Sequence, residues 1–323
     1  MLTIALPSKG RLKEDTEKYF ENIGLPIKTK GGAREYTGSF AGLDDNRILF
    51  LQPSEIARTL EDGTIDCGVT GHDLISERDA NHKTFSFKEL GFGHADLVMA
   101  VPETWIDVQS ISDLDDIMFF FRKKHGMRFR IATKYIHLTT EFLKKHGMVD
   151  YRIIESQGAT EGAPAAGVAE AIVDITSTGN TLHANALKII PDGVLLRSQA
   201  HFLGALNAEW NAEKFSILRR ILDYISAHQR ACCFKVLHGS FAPGAREDVV
   251  DCMISFKAQD INISETGFVC LIDRSRLHAF TEILRASGAD IITVSECESV
   301  FRSESELYDS FLTKLNGQQE DAA

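Results

Sequence analysis

Residues 171–181 read Ala-Ile-Val-Asp-Ile-Thr-Ser-Thr-Gly-Asn-Thr, and Leu182-His183-Ala184-Asn185-Ala186-Leu187 follows. The stretch is apolar and β-branched up to Asp174, then rich in hydroxyls with one glycine, and then has helical spacing. This succession predicts a buried strand, a tight turn and a helix from Leu182 to Leu187, the punctuation of an α/β fold. Such a turn aims backbone N–H groups outward at the positive end of a helix dipole, and so suits a phosphate. Thr176, Ser177, Thr178 and Thr181 add hydroxyl donors around Asn180. Gly179 lets the backbone approach a ligand. Asp174, at the carboxyl end of the strand, offers acceptors for a pair of sugar hydroxyls. An ordinary strand-to-helix turn with Ser/Thr capping has the same composition, so this stretch alone leaves both readings open.

The N-terminus supplies the complementary charge. Leu2-Thr3-Ile4-Ala5-Leu6-Pro7 is a short apolar strand that runs into Ser8-Lys9-Gly10-Arg11. A helical pattern with Leu12, Tyr19, Phe20 and Ile23 apolar follows, and Gly24 stops it. Open α/β sheets place ligands outside the carboxyl ends of their strands. Lys9 and Arg11 at such an end suit a polyanion, although solvated surface charge has the same look. Thr70-Gly71 and Asp73 stand at another strand end, where Asp73 contacts substrate or caps a helix. Thr133, Lys134 and Tyr135 follow a third strand; Lys134 suits a phosphate, and Tyr135 either stacks on a base or belongs to the core. Glu161 lies in the Gly/Ala/Pro-rich turn Gly158–Pro164, a place for a ribose hydroxyl, a water on a cation, or a simple cap.

Working outward, short apolar strands alternate with helices from residue 1 to about 95, with strands at 48–51 and 67–70 and a helix opening at Pro53. The alternation restarts at 97–101, with strands at 130–132, 151–154 and 171–175 and a helix at 135–146. Residues 193–206 read as a return strand. The expected organisation is a first lobe of 1–95 plus 191–206, a second lobe of 96–190 and a linking helix at 207–230. A βαββαβ unit at 231–300 and a C-terminal helix and tail at 301–323 follow. Two α/β lobes joined by crossing strands put a ligand cleft between them. The βαββαβ order is that of a ferredoxin-like module.

Composition sets the outer bounds. The chain has 323 residues, 44% hydrophobic and 25% charged, with a net charge of −11, ordinary globular usage. The negative balance argues against general nucleic-acid binding. No run of about 18 apolar residues suggests a membrane span, and the start lacks a signal-peptide pattern. The six cysteines have no metal-like pair spacing, and no His-Glu-x-x-His pattern occurs. A cytoplasmic enzyme without a protein-bound metal is the expectation.

Six pieces in order resemble the ATP phosphoribosyltransferase family, the first enzyme of histidine biosynthesis. They are Ala5–Arg11, Gly63–Leu74, Leu90-Gly91-Phe92-Gly93, Ile131–Tyr135, Gly158–Pro164 and the opening stretch extended through Asn185. The resemblance spans roughly 1–206. It implies a periplasmic-binding-protein-like two-lobed core that joins C1 of phosphoribosyl pyrophosphate to N1 of ATP. It also implies magnesium carried by the substrates and homo-oligomers such as dimers or hexamers. In the long form of the family a C-terminal module binds histidine and inhibits; here 231–300 matches only loosely. Ser8 after Pro7, Phe119–Arg130 and Glu161–Pro164 are closer to short forms, which rely on a separate regulatory subunit. Gln52-Pro53-Ser54-Glu55 departs from the family's Arg-Pro-x-Asp, so those roles do not transfer; Arg34 and Arg47 are possible substitutes. A non-catalytic sensor or inactive paralogue of the same architecture is the alternative.

Overall fold

The computed structural model describes residues 1–29, 37–156 and 158–321. The chain divides into two compact units, Met1–Tyr19 with Ile27–Lys214, and Phe20–Pro26 with Phe215–Ala323. Arg34 lies outside the described residues.

The first unit contains two mixed sheets. In chain order come β1 (Leu2–Pro7), α1 (Gly10–Asn22), β2 (Ile27–Thr29), β3 (Thr37–Phe40) and β4 (Asn46–Leu51). Then follow α2 (Pro53–Glu61), β5 (Cys67–Gly71), α3 (His72–Glu77) and β6 (Thr84–Glu89). The chain crosses to β7 (Ala95–Pro102), α4 (Ile111–His125), β8 (Phe129–Thr133), α5 (Ile136–Lys145) and β9 (Tyr151–Glu155). A single 3₁₀ turn at Thr160–Gly162 leads to β10 (Ala171–Thr176), α6 (Asn180–Ala184) and β11 (Leu187–Ser198), and β12 (Ala200–Ala205) returns. The first sheet has order β2-β3-β4-β1-β5-β12-β6, the second β11-β7-β10-β8-β9.

Strand direction explains where the loops gather. β1, β4 and β5 run parallel, and β12 runs antiparallel to both β5 and β6. The carboxyl ends of β1, β4, β5 and β6 therefore share one edge, where β12 enters. In the second sheet β8, β9 and β10 are parallel to one another and antiparallel to β7, with Thr176 opposite Asp96. Their carboxyl ends thus meet the edge where β7 begins and β11 ends. The two loop-bearing edges belong to the two ends of the same crossings, at 90–94 and at Gln199.

Apolar burial supports each lobe separately. Leu97, Met99, Val101, Phe129, Ile131 and Val173 form a buried core with Leu114 and Met118 of α4 and Leu143 of α5. Ala5, Ile56, Leu60, Ile75 and Leu203 form one in the first lobe. Leu74 packs against both.

The structure differs from the sequence reading in several places, among them the linking helix expected at 207–230, which is Ala212–Cys233. The helix expected from Leu182 to Leu187 is only Asn180–Ala184, because Ala186 turns to positive φ (55°) and Leu187 already opens β11. The return to the first lobe occurs at Gln199 rather than 191. β11 continues past Pro191 through register shifts between Ile189 and Leu196, where a residue without an N–H is tolerated. The sequence reading made no helix of 111–125, yet α4 is well delimited. Ser110 and Asp113 form a capping box, and Gly126, at φ 68°, ends it.

The second unit contains α7 (Ala212–Cys233, whose start lies in the first unit), β13 (Phe234–Phe241), α8 (Arg246–Ser255), β14 (Gln259–Ile263), β15 (Gly267–Asp273), α9 (Leu277–Ala286), β16 (Ala289–Ser295) and α10 (Glu306–Asp321). The sheet order β14-β15-β13-β16, with β13 antiparallel to both neighbours, is the ferredoxin-like arrangement. Leu237, Phe241, Val249, Met253, Phe268, Ile272, Phe280 and Leu284 build its core. The structure is thus α/β, a two-lobed core followed by a ferredoxin-like module.

Candidate active site

The turn after β10 has the strand–turn–helix order that its sequence suggests. Gly179 takes φ 77° and N-caps α6, a left-handed conformation that costs a residue with a Cβ. The Gly179 N–H donates to Thr176 Oγ1 at 2.9 Å, and the Asn180 N–H reaches Thr178 Oγ1 at 3.4 Å. Ser177, Thr178, Asn180 and Thr181 are exposed. With one helical turn behind it, the dipole contribution is small, so what the turn can offer an anion is its hydroxyls and backbone amides.

Asp174 sits half-buried where β10 enters this turn. Burial pushes its pKa above the ordinary carboxylate value, against the Ile175 amide and the Lys134 ammonium, while Glu161 adds to the push. Asp174 therefore feels the charges of both Lys134 and Glu161. Among the described residues no group of three or more His, Cys, Asp or Glu side chains is arranged to hold a metal. Asp174 and Glu161 are oxygen donors of the chemical kind that a divalent cation shared with an anionic ligand takes. Glu161 is half-buried in its 3₁₀ turn, which follows Ala159 at φ 31°.

Across the crossings, Lys9 and Arg11 are exposed at the end of β1. The Arg11 side chain is 92% exposed and its Nε lies 3.6 Å from Asp15, a weak surface pair that leaves the cation available. A cavity of about 610 Å³ is lined by Arg11, Asp15, Gly71, Asp73, His94 and Ser177, with Leu12, Pro53, Leu74, Phe92 and Ile175 as its apolar wall. It draws on both lobes, and brings Arg11 and Ser177 to one space.

The remaining sequence candidates are held in structural bonds. Thr70 is fully buried and its hydroxyl donates to the Pro53 carbonyl at 2.9 Å. Gly71 lies under Asp73: an added Cβ would fall 2.3 Å from Asp73 Oδ1. Asp73 is 5% exposed. Its Oδ1 accepts from the Ser198 hydroxyl and its Oδ2 from the Tyr135 hydroxyl, both at 2.8 Å, while its N–H donates to Ser198 Oγ at 3.0 Å. Tyr135 is 2% exposed and belongs to the second-lobe core. Burial, with the negative charge of Asp73, raises its pKa well above the phenol value. Buried in that core, with the Lys134 ammonium 5.1 Å from its ring centroid, it presents no free ring face to a base. Thr133 is buried and accepts from the Tyr135 N–H at 2.9 Å. Lys134 is the exposed member of that turn.

Arg47 does not replace the missing arginine of the 52–55 segment. It pairs with Thr3 at the amino end of β1, four residues from the Pro7–Leu51 pair at the ligand edge, about 13 Å away at strand rise. The sequence reading missed Ser198 and Glu77, which tie the lobes together. Glu77 carried a signal, since it stands four residues after Asp73 and shares its helix face.

Comparison with known proteins agrees with this architecture. The family profile HisG, ATP phosphoribosyltransferase, matches residues 52–226. An ATP phosphoribosyltransferase of Rhodopseudomonas palustris strain BisB18 is 45% identical over 96% of this chain and 98% of its own length. One from Bradyrhizobium diazoefficiens is 43% identical over 94% and 95%. Among solved structures, a chain of the ATP phosphoribosyl transferase (HisG:HisZ) complex from Thermotoga maritima superimposes with TM-score 0.52 at 25% identity. That match covers 70% of this chain and 98% of the other. Identity above two fifths along nearly the whole length, on a two-lobed α/β core, settles the kinship: the chain belongs to the ATP phosphoribosyltransferase family.

Proposed function

We propose that the chain transfers the phosphoribosyl group of phosphoribosyl pyrophosphate to N1 of ATP, giving phosphoribosyl-ATP and pyrophosphate in the first step of histidine biosynthesis. The observation that carries this reading is the cavity shared by Arg11 and Ser177, which lets a strand-end cation of one lobe and the hydroxyl turn of the other meet one pair of anions. Asp174 would hold the ribose hydroxyls, and Thr176 to Thr181 the 5′-phosphate. Lys9, Arg11 and Lys134 would share the polyphosphate charge, and the apolar wall suits a flat base. N1 of adenine attacks C1 of ribose as the C1–O bond to pyrophosphate breaks. N1 needs no deprotonation before attack, so orientation and charge neutralisation dominate. Magnesium enters with the substrates; Asp174 and Glu161 are the side chains that would hold it, and it would neutralise charge on the departing pyrophosphate.

The decisive assay is pyrophosphate release from ATP and phosphoribosyl pyrophosphate by the purified chain alone. Turnover is the expected outcome; tight binding of both ligands without pyrophosphate would make the chain a sensor.

Regulation by histidine belongs to the same reading. The ferredoxin-like module supports it, and so does the Thermotoga match. The matched chain of that HisG:HisZ complex is 98% covered, which leaves about 30% of the present chain without a counterpart in it. The chain would then carry its inhibitor site itself, in a homo-oligomer of dimer or hexamer size. All six cysteines are free thiols, which suits the cytoplasm. Calorimetry with histidine tests the regulatory part: heat together with inhibition is expected, and neither at millimolar histidine would leave the module structural.

A further inference from the structure

We propose that Glu77 is a positioning residue for this transfer, seating the first turn of α5, and with it Lys134, on the first lobe. The proposal rests on the reading of Lys134 as a phosphate contact. The N-terminus of α5 lacks the usual local devices. Its cap residue Tyr135 makes no side-chain cap bond, and its first turn contains no acidic residue. Two of the amides that need partners are met from the other lobe. Glu77 Oε1 accepts from the His137 N–H at 2.9 Å and Oε2 from the Leu138 N–H at 3.0 Å, across 60 and 61 residues of sequence. A carboxylate spread over two helix N-terminal amides is a charge-assisted cap that fixes direction as well as distance.

The rest of α3 reinforces that contact. Leu74 packs against both lobe cores, and Asp73 accepts from the Tyr135 hydroxyl and from Ser198 at the end of β11. Three residues of one short helix, Glu77, Asp73 and Leu74, thus grip the α5 region by a cap, a buried hydroxyl and an apolar contact. Lys134 is the residue immediately before the α5 cap, and its charge acts on Asp174. Glu77 itself does not line the cavity. Any influence on substrate must pass through the α5 turn, and small misplacements of a charge-bearing group are costly in rate.

The test is a double-mutant cycle on the full-length chain, with Glu77→Ala, Lys134→Ala and the pair. It is read as kcat/KM and KM for phosphoribosyl pyrophosphate by pyrophosphate release, and as Tm. Glu77→Ala is expected to lower kcat/KM by about tenfold, with most of the loss in KM. In the Lys134→Ala background the same change should cost less than about threefold, because coupled residues are not additive. Glu77→Gln keeps one carbonyl acceptor and should recover part of the loss; it also replaces Glu77→Ala in the cycle if the alanine variant does not fold. Full additivity, or a silent Glu77→Ala beside a damaging Lys134→Ala, overturns the positioning role while sparing the phosphate reading. A silent Lys134→Ala overturns that reading and the proposal together.

Discussion

Asp174 shows what the site demands of single residues. Its carboxylate is held partly out of water beside Glu161, and its pKa lies above the ordinary value because burial outweighs the help of the Ile175 amide and Lys134. A raised carboxyl pKa means that the fold favours the protonated form. That preference stabilises below the unfolded pKa and is lost as pH rises through the folded one, so the charge is a burden at neutral pH. Asp174→Asn is therefore expected to raise Tm at pH 7 and to lose most of that gain near pH 4, while turnover falls; thermal unfolding across pH reads it. Unchanged Tm at both pH values would remove the burden. The neighbouring turn makes a separate demand. The Thr178 hydroxyl has only a 3.4 Å contact within the protein and is free to meet a phosphate. Thr178→Ala should weaken binding of phosphoribosyl pyrophosphate by about ten- to a hundredfold, the worth of one hydrogen bond to a charged group. Gly179→Val should do more, since it adds a β-branched side chain at φ 77°, and ATP binding should change little in either. Titration calorimetry separates the two ligands.

At the scale of elements, α3 connects residues that the sequence shows only as neighbours in a list. Gly71 has its place because the Asp73 side chain folds back over it: a Cβ there would lie 2.3 Å from Oδ1. Gly71→Ala must displace Asp73 and with it the bonds to Ser198 and Tyr135. A loss of about 1–3 kcal/mol is expected, as for overpacking, measured from denaturant midpoints; an unshifted midpoint would show that Asp73 moves freely. The same helix marks how much was legible. The strand, turn and helix order around 171–181, the cations at 9 and 11 and the βαββαβ module could be read because period, glycine placement and charge are local signals. The roles of Asp73, Thr70, Thr133 and Tyr135 could not. Their bonds join residues 17 to 125 positions apart, or depend on which side of a buried strand end they face. α4 was missed because Phe119, Phe120 and Phe121 blur its apolar stripe, although its Ser110–Asp113 box was there to be seen.

At the scale of the molecule, the first unit is one lobe interrupted by another. Residues 95–198 leave the first sheet after β6 and return as β12, the strand that lies between β5 and β6. Ala95 and Ser198, the two ends of this excursion, are paired neighbours in the second sheet. The second lobe thus hangs from two adjacent points and closes on itself. The first cannot close without its final strand, which pairs with β5 and β6 only once residues 200–205 are in place.

That order has a consequence for the chain as it is being made. A ribosome extrudes β1 to β6 first, yet the growing first sheet has an open slot between β5 and β6 until more than a hundred further residues have emerged. Two strand edges, with Val69 and Phe87 beside them, stay unsatisfied for that interval, the kind of surface on which nascent chains aggregate or recruit chaperones. The inserted lobe has its own core and no such debt. Ribosome-bound chains stalled just after residue 198 has cleared the exit tunnel should therefore resist protease across 95–198 while 1–94 is cut. Protection of the first segment should appear only when residue 205 has cleared as well, so the piece synthesised second would be the first to fold.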